Sequence, residues 1–150
     1  MSVSAQGSGT VVLTTVPSDA HTWNLVYLGL LLEEHGYTVV NLGNCPTPDV
    51  VRHAARDPDA IAVVVSTVNG LGALDGARLV AHLRADMRLA GLPIAIGGKL
   101  GTTGHPVEQD VARLYSAGAS RVFGDADAPS SLLTWLAEQP NFAHEGRVVA

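Results

Sequence analysis

A chain of 150 residues has the length of one domain, enough to bury a core without disulfides or a structural metal. Hydrophobic residues make up 47% and charged residues 15%, the net charge is −5, and no basic stripe exists, so a nucleic-acid partner is excluded. The one cysteine, Cys45, excludes an internal disulfide; the start of the chain lacks the basic region of a signal peptide; and the apolar run 28–32 is far too short for a bilayer. The expectation is a cytoplasmic protein with no membrane contact.

Residues 1–9 are small and polar and are expected to be disordered, followed by a single domain over 10–138 and a tail over 139–150. The β-branched run 10–16, closed by Pro17, reads as the first strand. A helix is predicted over 21–35, with Leu25, Leu28 and Leu32 on one face and Gly36 as its stop. The second strand spans 37–42. Thr47 is set to cap a helix that has Pro48 at its first position and ends near Arg56.

Residues 60–66 are apolar without alternation, as in a parallel strand covered on both faces. A glycine-rich turn at 69–72 leads to a third helix over 74–89. The fourth strand spans 93–96, with Gly97-Gly98 directly behind it. Pro106 opens a fourth helix carrying Val107, Val111 and Leu114 and stopped by Gly118; a fifth strand follows at 120–123. Pro129 opens the last helix, with Leu132, Leu133 and Leu136 inward.

Five strands alternating with five helices read as a doubly wound α/β fold, a five-stranded parallel sheet of flavodoxin-like order 2-1-3-4-5. Its switch point lies between strands 1 and 3, and the loops after those strands carry Asp19 with His21 and Ser66 with Val68. Each group also has a plain structural reading. Asp19 could cap the first helix, with His21 exposed in its first turn. Ser66 and Thr67 could satisfy local backbone, and Gly97-Gly98 could be an ordinary turn. A phosphoacceptor site like that of response regulators is excluded, because strand 3 ends in Ser66 and no acidic pair follows strand 1.

Taken together, Asp19-Ala20-His21-Thr22-Trp23-Asn24, then Ser66-Thr67-Val68, then Gly97-Gly98 resemble the Asp-x-His-x-x-Gly, Ser-x-Leu and Gly-Gly signature of cobalamin-binding domains. The stretches 65–75, 96–99 and 107–123 are similar to the small subunit of glutamate mutase (methylaspartate mutase), and the resemblance covers about 10–136. Val68 stands where the signature has Leu. Asn24 stands where it has Gly, which leaves two readings: Asn serves a positive φ angle, or its side chain intrudes on the ligand.

The resemblance implies an isomerase component, the cobalamin-binding subunit of an adenosylcobalamin-dependent carbon-skeleton mutase such as glutamate mutase, inactive without its partner. It implies His21 as the lower axial ligand of cobalt in place of the cofactor's own benzimidazole, with Asp19 orienting the ring. No other catalytic residue is expected on this chain. The displaced nucleotide tail would lie between the sheet and the last helix. The implied cofactor-binding set is Ser18, Asp19, Ala20, His21, Thr22, Asn24, Ser66, Thr67, Val68, Gly70, Gly97, Gly98, Lys99 and Gly124, with the loop 99–104. A (β/α)8 barrel needs about 250 residues, so the implied partner is a separate barrel subunit in a heterotetramer. The alternative is a corrinoid carrier or cobalamin sensor outside any mutase. The remaining histidines (35, 53, 82, 105, 144), Cys45, Asp125 and Asp127 read as surface, turn or cap residues.

Overall fold

The computed structural model describes residues 9–100, 108–124 and 127–139. The expectations for residues 1–8, the loop 101–104, His105, Pro106, Val107, Asp125 and the tail from 140 lie outside these residues.

Five strands form one parallel sheet: β1 Thr10–Thr14, β2 Thr38–Asn41, β3 Ala60–Thr67, β4 Ile94–Gly98 and β5 Arg121–Val122. Their order is β2-β1-β3-β4-β5, as the alternation of elements predicts. The helices between and after them are α1 Trp23–Glu34, α2 Pro48–Ala55, α3 Gly72–Arg84, α4 Glu108–Ala117 and α5 Pro129–Glu138.

All eight residues of β3 are buried. The pleat sends Val63 and Val65 to a core shared with α2, α3 and α4, and Ala62 and Val64 to a core shared with α1 and α5. The unbroken apolar run is therefore the mark of a strand covered twice. Each fully buried Val or Leu contributes about 1.5–3 kcal/mol relative to exposure. By contrast β2 is an edge strand, and three of its four residues are exposed.

Local signals set several element ends. Thr47 Oγ1 accepts from Val50 N at 3.2 Å, with Pro48 in the first turn. Gly36 takes φ 96° directly after α1, which an L side chain resists.

Other boundaries differ from expectation. β1 ends at Thr14, and α1 begins at Trp23 rather than His21, so His21 lies in the loop. α3 starts at Gly72 and stops at Arg84; a separate 3₁₀ turn, Met87–Leu89, follows. Asp86 causes this break: it is extended, and its carboxylate accepts from Arg88 N at 3.0 Å, which competes with helix continuation. Gly97 and Gly98 are not behind β4 but are its last two residues, paired with Ser66 and Thr67 of β3. Of the expected fifth strand, Arg121 and Val122 stand in register with Ala95 and Ile96, while Ser120 N and Phe123 N donate to Ile94 O and Ile96 O from either side. Among the described residues no helix is long and apolar enough to cross a membrane.

Candidate functional site

The carboxyl ends of β1 and β3 lie side by side, and the loop after β1 folds back over them. Its backbone is tied at both sides: Asp19 N donates to Val16 O at 3.0 Å, and Cys45 N donates to Asp19 O at 2.9 Å. These bonds hold the Asp19 side chain inside the protein, fully buried. Oδ2 accepts from Thr67 Oγ1 at 2.7 Å, Val68 N at 2.9 Å and Thr15 Oγ1 at 3.2 Å. Oδ1 accepts from His21 N at 2.9 Å and lies 2.7 Å from His21 Nδ1. Burial pushes the carboxyl pKa up, but the hydrogen bonds from the His21 and Val68 N–H groups, the Thr67 hydroxyl and the His21 ring outweigh it. They hold the pKa well below the ordinary carboxylate range. Asp19 is a buried, ionised acceptor.

That state dictates the chemistry of His21. An ionised carboxylate only accepts, so Nδ1 carries the hydrogen between them. In the neutral ring the lone pair then sits on Nε2, which has no hydrogen-bond partner among the described residues. The His21 side chain is 53% exposed. The result is an outward imidazole whose tautomer and orientation are set from behind, the arrangement of a metal-ligating His. No group of three or more His, Cys, Asp or Glu suited to a metal ion exists among the described residues.

Beside this loop a groove of about 270 Å³ runs between α1 and α5 across the ends of β3, β4 and β5. Its walls are mainly apolar: Tyr27 and Leu28 of α1, Val64 of β3, Phe123 after β5, and Pro129 and Leu132 of α5. Phe123 is held edge-on by Trp135, with ring centroids 6.4 Å apart. Ser66 and Asn24 supply polarity near the β3 end of the groove. Asn24 is 6% exposed, and its Nδ2 donates to Ser66 Oγ at 3.0 Å and Ser66 O at 3.2 Å. Asn24 Oδ1 is buried without a partner among the described residues, at a cost of about 1–3 kcal/mol.

The glycine pair has a cause inside the protein. A Cβ on Gly97 would lie 2.9 Å from Phe123 Cβ, and one on Gly98 would strike Thr67 O; Gly98 also has φ +103°. Their bare backbone lets β4 close on β3 and on Phe123, whether or not a ligand also approaches.

Two groups of the expected residues thus meet. Asp19, His21, Thr67 and Val68 form the hydrogen-bonded edge, while Asn24, Ser66, Val68, Gly97, Gly98, Lys99 and Gly124 line the groove. Thr67 faces away from the groove, toward Asp19. Ala20 and Thr22 are exposed, and Gly70 is exposed outside the lining. Ser18 is exposed and accepts from Asn69 Nδ2 at 3.0 Å. Thr15, Tyr27, Leu28, Phe123 and Leu132 escaped the reading of motifs. Phe123 could have been found from its place directly after a short strand, at the same sheet edge as the other loops.

Residues 9–133 match the family described as B12 binding domain. The glutamate mutase sigma subunit of Halobacterium salinarum is 38% identical over 116 residues, which are 76% of this chain and 75% of that one. A solved cobalamin-binding protein from Desulfitobacterium hafniense is similar in fold, with a TM-score of 0.66 at 23% identity, over 85% of this chain and 59% of that one. A chemotaxis protein of Vibrio cholerae is equally similar, with a TM-score of 0.67 at 15% identity, over 89% of this chain and 100% of that one. The two scores are almost the same, so the sheet alone does not separate a cobalamin binder from a signalling domain. The family match over residues 9–133 does.

Proposed function

The chain belongs to the B12-binding domain family, and on that premise we propose that it is the cobalamin-binding subunit of an adenosylcobalamin-dependent carbon-skeleton mutase similar to glutamate mutase. One observation carries this reading. The His21 ring is held 2.7 Å from a buried, ionised Asp19 with Nε2 left open, next to an apolar groove.

The residues present fit the cofactor. A cobalt ion takes a neutral imidazole through one ring nitrogen while the other donates to a carboxylate. His21 would be that ligand, and Asp19 would keep the proton on Nδ1. The groove offers apolar walls and the Ser66 hydroxyl to a flat heterocycle such as the nucleotide base of the tail. When bound, adenosylcobalamin supplies radical chemistry from a weak cobalt–carbon bond.

This chain's part is to bind and orient. Such chemistry needs water excluded, yet the loop bearing His21 is open: Ala20, Thr22 and Trp23 are exposed beside it. Trp23 and Leu71, 65% and 52% exposed, present apolar surface on this same edge. A second subunit, a (β/α)8 barrel in a heterotetramer, would cover it and bring the substrate contacts.

The test is a titration of the chain with adenosylcobalamin, followed by electron paramagnetic resonance of the reduced-cobalt complex prepared with ¹⁵N-histidine. The expected result is a nitrogen splitting on the cobalt lines that changes from triplets to doublets on labelling, the doublets being lost in His21→Ala. An unlabelled-looking spectrum overturns the ligand assignment. Tight binding that a barrel subunit does not strengthen points instead to a carrier or sensor.

A further inference from the structure

Asn24 occupies the position at which the family signature has glycine, and the structure removes one of the two reasons for it. Among the described residues the non-glycine residue with positive φ is Cys45, so Asn24 does not serve a left-handed backbone. What distinguishes it is the pair of bonds from Nδ2 to Ser66 O and Oγ, 42 residues away.

These bonds fix the polarity of the Ser66 hydroxyl. A carbonyl oxygen only accepts, so Ser66 O requires the amide NH2 on its side; a flipped amide would set Oδ1 against it. The orientation holds even though it leaves Oδ1 without a partner. Ser66 Oγ therefore acts as acceptor toward Asn24. A serine hydroxyl has one hydrogen, and no acceptor for it exists among the described hydrogen bonds. Ser66 is 8% exposed and lines the groove.

We propose that Asn24 is a positioning residue which turns the Ser66 hydroxyl into a donor toward the groove, selecting a ligand base that presents an unprotonated ring nitrogen. The proposal rests on the cobalamin reading and adds to it a residue that sets the choice of tail base. Asn24 acts through Ser66 and need not touch cobalt or substrate.

The experiment compares the full chain's affinity for adenosylcobalamin with that for adenosylcobinamide, which has the same corrin without the nucleotide base. Their ratio isolates the tail. The wild-type chain is expected to prefer adenosylcobalamin, and Asn24→Ala to lower that preference about tenfold, the size of one neutral hydrogen bond. Asn24→Asp keeps the shape but takes the Ser66 hydrogen for itself, so it should lower the preference at least as much. Neither substitution should add to Ser66→Ala in a double variant.

A preference unmoved by both Asn24 substitutions, or effects that add to that of Ser66→Ala, overturns the proposal. So does a wild-type chain that binds both corrinoids equally, or loss of fold in both variants by circular dichroism. Failure of the wild-type chain to bind either corrinoid instead overturns the family-based reading beneath it.

Discussion

Asp19 and Asn24 lie five residues apart, are both buried, and both reach the end of β3, yet they are satisfied very differently. Asp19 has donors on each oxygen: Thr15, Thr67 and Val68 on one, the backbone and ring of His21 on the other. Asn24 spends its amide hydrogens on Ser66 and leaves Oδ1 vacant. The difference is that between a charge and a dipole. A buried carboxylate without its donors is several kcal/mol too costly, so its surroundings must be complete before any ligand arrives. A neutral amide tolerates a missing partner at about 1–3 kcal/mol. The Asp19 end is thus a finished scaffold, and the Asn24 end is a place where ligand preference can be tuned.

The strongest way to break this contrast is Asp19→Ala. It strips the acceptor from five donors, and we expect a loss of about 3–5 kcal/mol in urea unfolding together with loss of cobalamin binding. Gly98→Ala attacks the strand pairing that holds Thr67 in place. Positive φ and the collision with Thr67 O should cost about 2–3 kcal/mol in the same assay. Acid titration of stability sharpens the Asp19 side. Its folded pKa lies below the ordinary 3.8, so its stabilisation is complete above that value and is lost as pH falls through the lower folded value. Asp19→Asn should remove that part of the acid dependence, read as a flatter profile of unfolding midpoint below pH 3.8. His21→Ala is expected to be mildest for the fold, under about 1 kcal/mol, because the ring is half exposed. Its cobalamin affinity should nevertheless fall by more than about 100-fold. An equally small loss of affinity would remove His21 as the ligand.

Much of this was legible in the chain itself. Strand and helix order followed from apolar runs, Pro48 and Pro129 at helix starts, and Gly36 and Gly118 at helix ends, all of which act over a few residues. The unbroken run of β3 announced its two-sided burial. The motif residues Asp19, His21, Ser66 and Gly97 could be placed at one sheet edge, because a parallel sheet delivers every strand's carboxyl end to the same side.

What the chain alone did not disclose depends on contacts between distant residues. Nothing near Asp19 announces that Thr67 and Val68 are its donors, 48 and 49 residues on, nor that Asn24 reaches Ser66. The glycine pair reads as a turn until β3 and Phe123 are seen pressing on it from two sides. Local pattern determined the elements, their order and the edge at which function is expected, since those follow from periodicity and chain punctuation. Only the tertiary structure decided which groups are charged, which tautomer His21 holds and where a hydrogen bond remains to be made, because each depends on groups that meet only when separate strands are brought side by side.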